Sequence, residues 1–209
     1  MNTHTPNSYT TMSTKLIKIT NLSLLLWLFT STAILAQSEN EQVLDRKGNP
    51  LERGKEYYIK PAITDSGGRF TLINRNSSCP LYVGQENTDL GKGLPVIFTP
   101  FAKEDKVVKV ERDFKVKFSG SSTCVESTEW KVGDRDSKSG RRFIITGTDR
   151  YNYFRIAKTQ FRGIYNIEFC PSVCDICRFE CGTLGGLREN GKILSALGDN
   201  KLPVEFIRA

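Results

Sequence analysis

The chain has 209 residues, with 30 lysines and arginines against 23 aspartates and glutamates, and a single histidine. This length is enough for one domain with its own core, and 38% hydrophobic with 25% charged residues is typical of a globular protein, which excludes disordered and coiled classes. Because the single histidine is His4, close to the amino terminus, most hydrolase chemistry is excluded as well.

The first 40 residues have the pattern of a secretory signal peptide. Lys15 and Lys18 precede an uncharged stretch over 19–38 with a strongly apolar centre, and small residues follow it up to Ala36. We therefore predict that residues 1–36 are cleaved. The alternative is an uncleaved membrane anchor, because the uncharged stretch is just long enough to span a bilayer.

Cleavage after Ala36 would leave a mature chain of 37–209, predicted as a single domain. It would be secreted into the extracellular space, with onward transport to a vacuole as an alternative, and the start could be Met1 or Met12. His4 would be lost. The basic residues of the mature chain are spread out among acids, which predicts a mixed-sign solvated surface and no nucleic-acid partner.

Short apolar runs, several with period-two alternation, follow residue 40, and none has helical spacing over three turns. They predict strands at 57–59, 70–73, 81–83, 96–98, 107–110, 114–118, 130–132, 143–145, 164–169 and 204–206. About a dozen short strands indicate an all-β sandwich or barrel. Glycines at 182–186 are interpreted as a turn, because the Lys-Ser/Thr ending of a phosphate loop is missing.

An aromatic residue leads a predicted strand at Phe70, Phe114 and Phe154, at similar intervals along the chain. Three such units would form a β-trefoil, a six-stranded barrel closed by three hairpins. Recurring aromatics alone leave the choice between sandwich and trefoil open. Trp130, within one unit, is interpreted as a core residue.

All cysteines lie in the predicted mature chain. They are Cys79, Cys124, Cys170, Cys174, Cys177 and Cys181. An even number in a secreted chain predicts three disulfides, although sequence alone allows fifteen connectivities. The last four form a compact cluster, which suggests that Cys79 and Cys124 pair with each other; zinc binding by the cluster and a redox motif at 174–177 are the alternatives. Asn76 begins an N-glycosylation acceptor, Asn76-Ser77-Ser78.

Landmarks along 43–209 resemble the plant Kunitz-type, soybean trypsin inhibitor-like family. They are the opening 43–51 with Tyr57-Tyr58-Ile59, Cys79-Pro80-Leu81, Thr128-Glu129-Trp130, Phe169-Cys170-Pro171 and the ending 202–206. The resemblance implies a β-trefoil and the disulfides Cys79–Cys124 and Cys170–Cys181. An additional Cys174–Cys177 bridge is similar to the three-disulfide, miraculin-like branch.

Inhibitory members of this family insert a loop into a serine endopeptidase as a substrate would, and need no catalytic group, metal or cofactor. The matching loop, here called the reactive loop, is 99–106. Its contact residues are Pro100, Phe101, Ala102, Lys103, Glu104 and Asp105. Counting from Pro100 places the primary residue at Ala102, and counting back from Phe118 places it at Glu104. We predict Lys103, the basic residue between them, with Ala102 as second choice.

The resemblance also implies a support residue at Arg53, where strong inhibitors have asparagine. Arginine has donors but no acceptor, so it cannot reproduce both halves of an amide's hydrogen bonding. Two acids, Glu104 and Asp105, follow Lys103 and would sit poorly near an acidic specificity pocket. We therefore predict a monomeric inhibitor with weak or altered activity towards trypsin.

Two other functions remain open at this stage. The main alternative is a non-inhibitory, miraculin-like binding, defence or storage protein on the same scaffold. The second is an inhibitor on the same scaffold that acts on another class of protease. An enzyme is disfavoured, because no Ser-His or Cys-His pair can form without histidine.

Overall fold

The computed structural model describes residues 41–77, 79–120, 124, 127–174 and 176–209. These residues form twelve antiparallel strands and no helix. In chain order the strands are β1 (Glu56–Pro61), β2 (Phe70–Ile73), β3 (Tyr82–Gln85), β4 (Val96–Pro100), β5 (Phe114–Phe118), β6 (Trp130–Arg135), β7 (Arg142–Thr146), β8 (Arg155–Lys158), β9 (Tyr165–Phe169), β10 (Gly182–Glu189), β11 (Lys192–Gly198) and β12 (Val204–Arg208). Within the described ranges, therefore, no helix could cross a membrane.

Strand pairing closes a six-stranded barrel. β1 pairs with β4 and β12, β4 with β5, and β9 with β8 and β12. The circle is completed where Phe114 and Phe154 exchange two backbone hydrogen bonds of 2.9 Å at the start of β5 and β8. A barrel closed in this way leaves no long unpaired edge.

Three hairpins cover one end of the barrel. They are β2–β3, β6–β7 and β10–β11, and their strands β3, β7 and β11 all pair with one another. Six barrel strands and three mutually paired hairpins are the β-trefoil, so the fold expected from the family resemblance is confirmed.

The core lies where the barrel meets the hairpins. Alternation in β5 turns Phe114, Val116 and Phe118 inward and leaves its lysines outside. Trp130 is fully buried, stacked on Phe70 at 5.7 Å between ring centroids, and also contacts Phe118 and Phe154. The core interpretation of Trp130 is correct, and two of the three recurring phenylalanines, Phe70 and Phe154, contact its ring, while Phe114 packs on Phe98.

A nearly buried arginine joins the three hairpins. Arg75, after β2, forms a bidentate pair with Glu189 of β10, both distances 2.8 Å, and a 2.9 Å pair with Asp136 in the β6–β7 turn. Its guanidinium also lies 4.5 Å from the ring centroid of Phe143 in β7. The hydrogen bond from Arg75, helped by Ser139, holds the pKa of Asp136 well below its usual range.

The structure contains the disulfides Cys79–Cys124, Cys170–Cys181 and Cys174–Cys177, which use all six cysteines. The implied pairing is therefore present, and it leaves no free cysteine among the described residues to bind zinc. Asn76 is exposed in the segment between β2 and β3. Ser78 of its acceptor motif, and the predicted signal peptide with its boundary at residue 36, lie outside the described residues.

Two predicted local structures are wrong. Segment 182–186 is not a turn but the start of β10, and its Gly185 leaves room for neighbouring chain, since a Cβ there would lie 2.1 Å from the carbonyl oxygen of Asn200. Segment 107–110 is not a continuous strand. Instead, Val107 and Lys109 form isolated bridges to Glu52 and Gln42 of the amino-terminal segment.

Candidate functional site

The predicted reactive loop begins where β4 ends. β4 and β5 remain paired up to Pro100 opposite Phe114, and the N–H of Phe101 then donates to the carbonyl oxygen of Asp113 at 2.8 Å. Pro100 is buried and its ring fixes one backbone dihedral. The loop therefore starts from a constrained base.

Residues 102–105 form a tight turn with Lys103 and Glu104 at its tip. The N–H of Asp105 donates to the carbonyl oxygen of Ala102 at 3.2 Å. Both tip side chains are exposed, and neither tip carbonyl accepts a hydrogen bond from the described part of the chain. The tip thus offers one basic and one acidic side chain and two unoccupied carbonyls to a partner.

Arg53 supports this turn from the inside. Its Nη2 donates to the carbonyl oxygens of Pro100 at 2.8 Å and Ala102 at 2.6 Å, and its Nε donates to that of Asp105 at 2.8 Å. A guanidinium carries several donors in a rigid fork, which suits convergent carbonyls. Because all three groups that Arg53 meets in this loop are acceptors, the arginine needs only donors here. Its lack of an acceptor, which was expected to weaken the support, is therefore compensated by the conformation of the loop.

Asp105 belongs to the loop but does not face solvent, contrary to expectation. Its side chain is buried, and its Oδ1 accepts a hydrogen bond from Lys109 Nζ at 2.6 Å. Of the two acids expected beside the primary residue, only Glu104 can therefore approach a protease.

Phe101 forms an apolar shoulder next to the tip. Its side chain is 55% exposed, and the ring meets Tyr153 edge to face at 5.2 Å between centroids. Lys115 Nζ also lies 5.2 Å from the Tyr153 ring centroid. Phe101 is thus held by its aromatic neighbour.

Asp113 links the loop to the carboxy-terminal disulfide region. Its backbone oxygen accepts from Phe101, while its buried carboxylate accepts from Arg155 Nε at 2.8 Å and from the N–H and hydroxyl of Ser172 at 2.9 and 2.6 Å. Ser172 lies two positions after Cys170. The loop base is therefore tied to the segment that the Cys170–Cys181 bridge holds.

A cleft of about 630 Å³ lies between the reactive loop, residues 111–113 and residues 172–173. Glu111 lines it with a backbone φ of 56°, in the left-handed region that non-glycine residues rarely adopt. Partial desolvation raises the pKa of the Glu111 carboxyl, and Glu168 adds to this effect while Arg155 opposes it. Within the described ranges no cluster of three or more His, Cys, Asp or Glu side chains could hold a metal.

The structure therefore places the guanidinium of Arg53 against the carbonyls of Pro100, Ala102 and Asp105. It leaves Lys103 and Glu104 exposed at the tip of the loop. Sequence reasoning missed Lys109, Tyr153 and Asp113. No local pattern could have identified Tyr153 and Asp113, because their partners become neighbours only when distant strands pair, and Lys109 meets Asp105 only through the turn of the reactive loop.

Comparison with known proteins agrees with this geometry. The profile of the Kunitz_legume family, described as "Trypsin and protease inhibitor", matches residues 43–208. "Kunitz type trypsin inhibitor 106" of Medicago truncatula is 52% identical over 188 residues, 86% of this chain and 90% of that protein. Miraculin of Synsepalum dulcificum is 31% identical over 186 residues, 82% of this chain and 84% of its own.

Among solved structures, soybean trypsin inhibitor superimposes with a TM-score of 0.66 at 28% identity, covering 81% of this chain and all of its own. Members of this family are inhibitors and not enzymes, and they bind serine proteases such as trypsin. The profile match, the relatives and the closed trefoil with its supported loop together show that the chain belongs to the Kunitz-type family of trypsin and protease inhibitors.

Proposed function

We propose that residues 99–106 block a serine endopeptidase in the manner of a substrate, with Lys103 as the primary residue that enters the specificity pocket. The observation that carries this proposal is the direction of the loop carbonyls. A serine protease attacks the carbonyl carbon of the primary residue and holds its oxygen in the oxyanion hole, so that oxygen must face the enzyme.

Ala102 does not meet this requirement. Its carbonyl oxygen already accepts from Arg53 Nη2 at 2.6 Å and from the N–H of Asp105 at 3.2 Å, both inside the inhibitor. The Lys103 carbonyl accepts from no described donor, and the Lys103 side chain is exposed. This difference favours Lys103 over Ala102.

The same geometry supports weak inhibition of trypsin. Proteases bind an extended segment as an added strand, so the 3.2 Å hydrogen bond that closes the turn between Asp105 and Ala102 must break on binding, while the bonds from Arg53 to the flanking carbonyls remain. Glu104, directly after Lys103, is exposed and would lie near the acidic pocket that attracts the lysine. We expect an inhibition constant on the order of 1 μM against trypsin, far from the tightest inhibitors of this size.

The test is a titration of the oxidised mature protein, 37–209, against trypsin, chymotrypsin, elastase and papain, with Lys103→Ala alongside. Lys106→Ala is the matched control, because Lys106 is an exposed lysine of the same loop whose side chain forms no ion pair within the described residues. We expect inhibition of trypsin to disappear in the Lys103 variant and to persist in the Lys106 variant.

Two results would contradict the proposal. Unchanged inhibition in Lys103→Ala would move the contact to Ala102 or to another loop. Inhibition of none of the four enzymes would leave the scaffold without a protease target and favour a miraculin-like binding or storage function.

The proposal includes secretion of a monomer after removal of residues 1–36, with a glycan on the exposed Asn76. Intact mass of the protein secreted by plant cells would test both processing steps, since a first residue other than 37 or the absence of glycan mass would contradict them.

A further inference from the structure

A second cleft, of about 670 Å³, lies beside the β6–β7 turn and the ends of β10 and β11. We call it the basic cleft. Its charged lining residues are Arg135, Arg141, Arg142, Lys201, Glu180 and Asp199. It shares no lining residue with the reactive loop or with the cleft beside that loop.

Two of these cations already have partners. Arg135 donates to the carbonyl oxygen of Gly140 at 2.6 Å and pairs with Glu180. Arg142 donates to the carbonyl oxygen of Gly133 at 3.2 Å and lies 4.0 Å from the same Glu180 carboxylate. Glu180 therefore compensates much of the charge on this side of the basic cleft.

Arg141 and Lys201 are different. Neither side chain forms a hydrogen bond or ion pair within the described part of the protein. Arg141 is only half exposed, and its guanidinium lies directly on Gly198, where a Cβ would be 1.9 Å from Nη1. A partly desolvated guanidinium with unused donors favours an external acceptor, because polar groups removed from water need replacement partners.

We propose that the basic cleft binds an oxyanion group, a phosphate or a sulfate, between Arg141 and Lys201. The planar fork of a guanidinium matches the spacing of two oxygens in such a group, and the ammonium of a lysine adds a point charge. Gly198 leaves room for the guanidinium of Arg141, whose Nη1 would clash with a Cβ at that position. The group could be a free anion or could be carried on a sulfated glycan, since both present the same chemistry.

The experiment follows backbone amide resonances of the oxidised mature protein during titration with inorganic phosphate at constant ionic strength. We expect saturable shifts at Gly198 and its neighbours. Arg141→Gln should weaken binding about tenfold, as expected for loss of charge-assisted hydrogen bonds. Gly198→Ala should weaken it similarly although no charge is removed, because the new methyl group displaces the guanidinium.

Arg162→Gln is the matched control, since Arg162 is an exposed arginine in the β8–β9 loop with no ion pair among the described residues. It should leave the affinity unchanged. If Gly198→Ala did not fold, as judged by its melting curve, Arg141→Gln would carry the test. Linear, unsaturated shifts of the native protein both with phosphate and with a sulfated polymer would overturn the proposal, and so would an equal loss in Arg162→Gln, which would indicate diffuse charge attraction.

A parallel arm with soluble sulfated dextran distinguishes the sources of the group. Saturable phosphate binding supports a site for the free anion. Binding of dextran sulfate alone, with the same dependence on Arg141 and Gly198, supports a polymer-borne group. Binding of neither ligand would refute the site without affecting the proposed inhibitory function, because the basic cleft and the reactive loop are separate.

Discussion

Arg53→Ala tests whether the reactive loop depends on one guanidinium. The substitution removes three hydrogen bonds to the carbonyls of Pro100, Ala102 and Asp105. At about 1 kcal/mol net for each bond, the turn loses about 3 kcal/mol of anchoring. A loop that must be ordered on binding loses that energy from the complex, so the inhibition constant should rise about 100-fold.

Two readouts separate loop support from general stability. The first is the inhibition constant against the protease that Lys103 selects, and the second is the rate at which excess protease cleaves within 102–105, which should also rise about 100-fold. The melting temperature should fall much less, because the freed carbonyls of an exposed loop can bind water. Arg53→Lys keeps the charge but lacks the planar guanidinium. Its inhibition constant and its rate of cleavage should therefore lie between those of the native protein and of Arg53→Ala.

Arg46→Ala is the control, since the Arg46 side chain is 65% exposed and, among the residues that the structure describes, forms a single 3.7 Å pair with Glu205. It should behave like the native protein. The reasoning would be refuted if Arg53→Ala inhibited as tightly and resisted cleavage as well as the native chain.

Three further substitutions test the surroundings of the site and of the hairpins. Asp113→Ala should lower the free energy of unfolding in urea by about 3 kcal/mol, because it leaves Arg155 without its buried partner; a change below about 0.5 kcal/mol would contradict this. Since Arg75 lowers the pKa of Asp136, the contribution of that pair is complete above pH about 4 and is lost as the pH falls further. Stability measured from pH 7 to pH 2 should therefore decline more in the native protein than in Asp136→Asn, and parallel curves would contradict the linkage. Glu111→Gly should raise stability by about 0.5–1 kcal/mol, because glycine accepts the φ of 56°; a lower melting temperature would show that the Glu111 side chain contributes more than its strained backbone costs.

Period-two alternation is the signal that makes β5 and β9 predictable from the sequence. In β5 and β9 the alternation of large apolar and polar residues follows directly from the pleat. β11 lacks this signal because five consecutive residues, 193–197, are buried, and so neither face is polar. β10 was not predicted, because its glycines are typical of a turn. They leave room for neighbouring chain at positions such as Gly185, and only the folded structure shows this.

The functional site, like the strands, was predictable from the sequence only in part. The family resemblance located the reactive loop and Arg53, but two ways of counting left the primary residue open between 102 and 104. The carbonyl directions that distinguish Ala102 from Lys103 arise from a turn and a guanidinium that meet only after folding. The pairing of Asp105 with Lys109 depends on the same turn, which is why the sequence suggested an acid facing solvent.

Trp130 has a spectroscopic consequence. Apart from Trp27 in the predicted signal peptide it is the only tryptophan of the sequence, so the mature chain would carry one intrinsic fluorophore. Its indole is fully buried against Phe70 of β2, Phe118 of β5 and Phe154, which directly precedes β8. Emission should therefore be blue-shifted in the native protein and move to longer wavelength when the barrel strands separate from the hairpins, so that it reports unfolding of the core and does not respond to changes confined to the reactive loop.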